Sequence, residues 1–429
     1  MRPPLVWRAV GKLPAKGRDA DSVLAEVESF KLDDKDFRNG RVFGLVFHAD
    51  EALEEVAAAA HNAYLWHNAL NPNVFPSLRH MTNDVVEISA ALLGGEHIDD
   101  ALAGFLTSGG TESILMAVKA AKMRAVDERE VHDPNIVLPM SAHAAFDKAC
   151  QYFGVESRRV PVRDDFRADV DAVAASVDDS TVLVVGSAPQ YPQGVIDPIP
   201  ELASLAAERG IGCHVDACMG GFVLPFLERS GHDLPPWDFR VPGVTSLSAD
   251  LHKYGYVPKG ISVIMHRSKE LRRYQTFAFD GWLGGFYGSS GILGTKPGGP
   301  IAAAWAALQF LGEEGYCRLS EEAFTARERF VAGVRATPGL AIVGEPEVTL
   351  AAITASGVAP HVDVFALGDE LFRRGWHLDR QGPPDSLHAT CMPVHLPVID
   401  EFLADLRDAV AAVTGTSADD RSTNYAVLE

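Results

Sequence analysis

Cysteine is scarce, long apolar runs are missing, and basic residues are in deficit. Five cysteines (Cys150, Cys213, Cys218, Cys317 and Cys391) are scattered over 429 residues and odd in number. They form no C-x-x-C pair and no Cys/His cluster of metal-ligand spacing, so they read as reduced thiols in a cytoplasmic protein with no metal site. A membrane helix needs roughly 20 apolar residues. One of the longest apolar candidates, Ile301 to Leu311, is interrupted by Gln309. The opening Met1-Arg-Pro-Pro-Leu-Val-Trp-Arg8 has neither the apolar core nor the cleavage pattern of a signal peptide. Lysine and arginine number 38 against 58 acidic residues, a formal charge of −20. That balance argues against nucleic-acid binding and against a polybasic membrane anchor.

What is present is apolar bulk in a regular pattern. At 47% hydrophobic, the chain can bury a large core in one two-part subunit. Residues 1 to about 50 read as an irregular arm with one helix, carrying Asp21 to Phe30. Glu51 to Leu65 and Asp84 to Leu93 read as helical. Short apolar runs then alternate with helical stretches. The strand candidates are Asn135–Leu138, Arg158–Val162, Thr181–Val185, Gly212–Val215, Val244–Leu247 and Ile261–Met265. That alternation predicts an α/β fold around a mostly parallel, helix-covered sheet. A Gly-rich span, Asp280 to Gly299, reads as a surface loop. A helix over Ile301 to Gly312 follows, then a smaller α+β portion ending in a helix over Val398 to Val413.

Four motifs carry chemistry. Ser248-Ala-Asp-Leu-His-Lys-Tyr-Gly-Tyr-Val-Pro-Lys-Gly260 puts His252 before Lys253 where a buried strand gives way to a loop. Burial and a neighbouring cation favour the neutral amine that an aldehyde cofactor needs to form a Schiff base. Asp216 ends the apolar run Ile211 to Val215, where its carboxylate can pair with a protonated pyridine nitrogen, as in pyridoxal phosphate (PLP) enzymes. Leu106-Thr-Ser-Gly-Gly-Thr-Glu-Ser113 leads into helical spacing, so its backbone N–H groups form an anion cradle. His143, in Ser141-Ala-His-Ala-Ala-Phe146, can stack on an aromatic ring. Taken singly these are a capped turn, a structural histidine, a turn-capping aspartate and a solvent lysine. Together, in this order, they describe a PLP site.

The chain resembles the sphingosine-1-phosphate lyases, within the PLP-dependent group II decarboxylase family. The matching segments are Thr107 to Ala117, Ser141 to Lys148, Gly194-Val-Ile-Asp-Pro198, His214-Val-Asp-Ala-Cys218, the lysine motif and Lys296-Pro-Gly-Gly299. The likeness runs from about Arg41 through Gly375-Trp-His-Leu378 to the C-terminal helix. It implies the PLP fold type I, aspartate aminotransferase-like. Its parts would be an arm and helix (1–60), a large domain with a mostly parallel seven-stranded sheet (61–300), a small C-terminal α+β domain (301–414) and a disordered tail (415–429). It also implies a homodimer acting on a small-molecule amine. The chain's own apolar runs, all short of membrane length, lead to the expectation of no membrane anchor, unlike the animal members of the family.

The resemblance further implies roles. Lys253 carries PLP, Asp216 pairs with its pyridine nitrogen and His143 stacks on its ring. Gly110, Thr111 and His252 hold the cofactor phosphate, with Gly298 of a partner subunit's loop at the same site. Tyr191 reaches toward the substrate, and Lys259 serves a phosphate or a proton transfer. The reaction is then retro-aldol cleavage of a β-hydroxy amine or, alternatively, amino-acid decarboxylation on the same scaffold. Three positions depart from the family pattern. Phe47 stands where tyrosine is usual, Asn71 where histidine is usual, and Lys296 where arginine is usual. Each departure removes hydrogen-bonding capacity from a substrate phosphate pocket, so an altered head group is expected.

Overall fold

A computed structural model describes residues 13–98 and 101–423. The predicted arm before residue 13 and the last part of the predicted tail lie outside the described residues. The chain forms two units, residues 1–36 and 37–429. In the first, Asp19 caps the helix Ala20–Ser29 by accepting the Ser22 N–H at 2.9 Å, satisfying one of the donors that a helix start leaves unpaired.

The second unit is organised by a seven-stranded sheet. Its strands are β1 (Ala103–Thr107), β2 (Asn135–Pro139), β3 (Glu156–Val160), β4 (Thr181–Ser187), β5 (Gly212–Asp216), β6 (Ser246–Ala249) and β7 (Ser262–His266). They lie in the order β1-β7-β6-β5-β4-β2-β3. β7 runs antiparallel to β1 and β6, and the remaining pairs are parallel. Parallel pairing requires crossovers that cover both faces, and every residue of β2, β4 and β5 is buried. The two-residue period sorts the side chains. Ile136, Leu138 and Val185 pack with Ile114, Val118 and Phe146, from the helices Gly110–Arg129 and Ala145–Phe153. Val137 and Val184 join the opposite core with Ile199 and Leu202 of the helix Ile199–Glu208.

All six strand candidates become strands, with β3 starting two residues early and β6 two residues late. β1 is an addition to the expected set. It contains Gly104, a weak strand residue, placed where a Cβ would collide with Met265 and Val86. Packing selects that glycine. The helix Pro76–Leu92 begins earlier than expected, with proline in its first turn.

Two further expectations need correction. The helix expected over Ile301 to Gly312 spans Gly298–Arg335, with Gly312 breaking it at φ 55°, ψ −171°. The Gly-rich span contains part of a hairpin, β8 (Phe277–Phe279) against β9 (Tyr287–Ser289), with Trp282, Leu283 and Phe286 exposed around its turn. Beyond the long helix lies an antiparallel sheet of β10 (Leu340–Ile342), β11 (Leu350–Ala355), β12 (Asp379–Gln381) and β13 (Ser386–Thr390), ordered β10-β11-β13-β12. The helices Val364–Arg373 and Ile399–Val413 share its core, with Phe330, Trp376 and Phe402. After the last helix Arg421 pairs with Asp363 at 2.5 Å and with Asp385. No described helix is long and apolar enough to cross a membrane.

Candidate active site

Because β7 is antiparallel to both neighbours, β1 points the same way as β4, β5 and β6. Their C-terminal ends meet at a cavity of about 270 Å³, where ligands bind in open α/β sheets. Each strand end delivers part of the lining. β1 delivers Ser108 to Thr111, β4 Ser187 and Tyr191, β5 Asp216 and Cys218, and β6 Asp250, His252 and Lys253. His143, from the turn after β2, also lines it.

The helix start at Gly110 is held from within. Glu112 accepts the Ser108 N–H at 2.7 Å and its hydroxyl at 2.6 Å through one oxygen, and the Ile292 N–H at 2.7 Å through the other. Both carboxylate oxygens are thereby engaged by loop backbone, and Gly110 and Thr111, the first residues of the helix, line the cavity. Residue 110 must be glycine, since a Cβ there would lie 2.8 Å from an Asp250 carboxylate oxygen.

Lys253 Nζ sits 3.0 Å from Asp250 Oδ2, and His252 Nε2 lies 3.7 Å from the same oxygen. Burial pushes the Asp250 carboxyl up, but Lys253 and His252 outweigh it, and the group ends below the usual carboxylate range. The other Asp250 oxygen is buried with no hydrogen-bond partner. His252 Nδ1 accepts the Ile261 N–H at 3.2 Å, and His143 Nδ1 accepts the Ala145 N–H at 3.1 Å. In both rings the neutral form therefore carries its proton on Nε2. Burial lowers both pKa values, partly opposed by Asp250 at His252 and by Asp216 at His143.

Asp216 is anchored rather than free to swing. Its Oδ1 accepts the Cys218 N–H at 3.1 Å and the Ser248 hydroxyl at 3.2 Å. Ser248 is also 3.2 Å from His214 Nε2, whose Nδ1 lies 2.9 Å from Ser246 Oγ. The parallel register of β5 and β6 places these as two cross-strand pairs.

The remaining expected residues lie outside this cavity. Lys259 donates to the His252 carbonyl at 3.1 Å and sits 4.9 Å from the Phe47 ring centre. The residue reaches solvent, yet crowding of its ammonium by protein, and then Lys253's charge, bring it down to about 8. Asn71 accepts the Asn73 N–H at 3.0 Å in a tight turn. The Lys296 ammonium lies 4.3 Å from the Phe105 ring centre, and burial lowers its pKa. Gly298 opens the long helix and donates to the His67 carbonyl at 2.9 Å. Sequence reading missed Asp250, Ser248, His214 and Glu112. Asp250 had a signal: it stands three residues before Lys253 in the same motif.

Residues 56–355 match the pyridoxal-dependent decarboxylase conserved domain. The chain belongs to the pyridoxal-dependent decarboxylase family. It is a sphingosine-1-phosphate lyase-like member. It is 41% identical to the sphingosine-1-phosphate lyase of Arabidopsis thaliana, over 94% of this chain and 74% of that one. It is 33% identical to a probable L-aspartate decarboxylase of Pyrococcus furiosus, over 85% of this chain and 94% of that one. The solved sphingosine-1-phosphate lyase of Burkholderia pseudomallei superposes with a TM-score of 0.90 at 37% identity, covering 95% of this chain and 94% of that one. The PLP fold type I expectation is thus met, and membership makes the chain a PLP-dependent enzyme of the lyase class.

The cavity's own chemistry fits the family's cofactor. It offers an amine at Lys253, a buried and anchored carboxylate at Asp216, and a helix start free of side-chain bulk at Gly110. Those are the groups that an aldehyde, a pyridine nitrogen and a phosphate require.

Proposed function

We propose that this PLP-dependent lyase breaks a carbon–carbon bond in a β-hydroxy amine or β-hydroxy amino acid by retro-aldol cleavage. It acts as a cytoplasmic homodimer whose subunits share each active site. Residues 61–300 form the cofactor-binding part and 301–414 the small domain, with 415–429 as a tail. The observation that carries this reading is the 41% identity to a sphingosine-1-phosphate lyase across 94% of the chain.

Bound PLP supplies an electron sink for the pair released at the amine-bearing carbon. Lys253 presents the amine that receives the cofactor aldehyde, and Asp250 holds that amine in place. Asp216, fixed by Ser248 and the Cys218 N–H, holds a proton at the pyridine nitrogen. His143 covers the ring. Gly110, Thr111 and His252 hold the phosphate, joined by the Gly298 loop of the partner subunit. Tyr191 meets the substrate, and Lys259 serves a phosphate or a proton.

Phe47, Asn71 and Lys296 leave this chain fewer groups for a substrate phosphate, so its substrate carries a smaller or unphosphorylated head group. Two contacts support this. Asn71's oxygen is engaged in its own turn, and Lys296's charge lies against an aromatic face.

The test is mass spectrometry of products from PLP-loaded protein. A long-chain aldehyde with unphosphorylated ethanolamine, from an unphosphorylated sphingoid base, is the expected result. Efficient release of phosphoethanolamine from the phosphorylated base would overturn the head-group proposal. The double variant Phe47→Tyr with Asn71→His should gain activity on the phosphorylated base, about tenfold or more for two restored hydrogen bonds. A second reading, amino-acid decarboxylation, draws on the 33% identity to a probable L-aspartate decarboxylase. Release of CO2 without aldehyde would select it.

A further inference from the structure

Tyr191, which lines the cavity, is tied to the small sheet by a hydrogen-bonded array. Its hydroxyl donates to Asp379 Oδ2 at 3.2 Å. Asp379 opens β12 and is buried, and its other oxygen lies 3.0 Å from His377 Nε2. His388, the cross-strand partner of Asp379, stacks on the Tyr191 ring at 3.9 Å and 29°. His388 Nε2 lies 3.1 Å from Thr390 Oγ1. The ring is clamped by His388, and the hydroxyl's direction is set by Asp379.

A phenol has one proton and two lone pairs. When the proton is given to a carboxylate, the oxygen meets other neighbours as an acceptor. We propose that Asp379, held by His377, is a positioning residue that keeps the Tyr191 proton turned away from the substrate, so that Tyr191 receives the substrate's hydroxyl proton. This rests on the retro-aldol reading and deepens it. A β-hydroxyl is a donor and suits such an oxygen. A carboxylate in the same place has no proton to give and is repelled.

The step balances. As the C–O bond becomes C=O, the hydroxyl proton passes to Tyr191 Oη and the Tyr191 proton passes to Asp379. The electron pair of the broken Cα–Cβ bond stays with Cα. Returning through Tyr191, the proton goes to that carbon, and aldehyde and amine leave with protons and electrons accounted for.

The test compares wild type, Asp379→Asn, Tyr191→Phe and the double variant, each loaded with PLP. Asp379→Asn should lower kcat for aldehyde release about a hundredfold, with KM within about threefold and the visible absorbance of bound PLP unchanged. Tyr191→Phe should add little in that background, because the two residues act as one unit. Binding gives a readout that a purely structural role would not move. Wild type should prefer the sphingoid base over its 3-deoxy analogue roughly tenfold, the worth of one hydrogen bond, and Asp379→Asn should lose that preference.

A wild-type rate in Asp379→Asn, losses that multiply in the double variant, or an intact hydroxyl preference would each overturn the proposal. If Asp379→Asn does not fold, His377→Gln replaces it, and an unchanged rate there overturns the proposal equally. CO2 release without aldehyde from the wild type would overturn the retro-aldol reading and this one with it. Aldehyde release that ignores Asp379 overturns this one alone.

Discussion

Lys253, Asp216 and His143 stand out in the sequence because each sits in a short contiguous motif at a strand end, and strand ends are where α/β sheets keep their ligands. Their supports are less visible. Ser248 is an unremarkable serine until β6 pairs with β5 and brings its hydroxyl to Asp216 and His214. Replacing Ser248 with alanine removes one donor from Asp216 and leaves His214 Nε2, fully buried, without that partner. The expected cost is about 1–3 kcal/mol of stability, read by urea unfolding, together with weaker PLP binding in an absorbance titration. Equal stability and PLP affinity would mean that the Cys218 N–H suffices to hold Asp216. Tyr191 and Asp379 are 188 positions apart, and nothing local in either segment announces the other.

At the scale of elements, short runs flanked by turns specified six of the seven strands of the large sheet, whereas β1 and the length of the long helix escaped. Both failures involve glycine. Gly104 lowers strand propensity but lets β1 approach Met265 and Val86. Gly312 reads as a helix stop, and its backbone does leave the helical region. The helix resumes because Tyr316, Leu319, Ala323 and Phe330 on the far side are buried, and that burial outweighs a local break. At φ 55°, ψ −171° the backbone is in a region almost reserved for glycine. Gly312→Ala should therefore cost about 1–3 kcal/mol, although no neighbouring atom would touch the new methyl group. A denaturation midpoint unchanged from wild type would show that the kink relaxes into continuous helix.

The whole molecule carries a pH limit. Burial brings His214, His266, His388 and His395 down to about 4 from an ordinary 6.5. Between those values the unfolded chain binds protons that the folded chain refuses. Stability is therefore fully present above about pH 6.5, falls as the pH drops toward 4, and stops falling on this account below that. Each such histidine represents about 3 kcal/mol. Since two belong to the large sheet and one to the small, both parts should loosen together. The expected result is a single unfolding transition whose midpoint falls steeply from pH 6.5 to 4. A flat profile across that window would contradict neutral burial of these rings.

The sequence by itself determined the α/β class, the parallel core strands, the family and the four motifs that meet at the cavity, because each depends on local periodicity or on a contiguous motif. The tertiary structure alone decided that Ser248 anchors Asp216 and that the Tyr191 hydroxyl donates to Asp379. Those contacts form when strands pair and the small sheet packs beside the large one, and pairing joins residues by distance in space rather than along the chain.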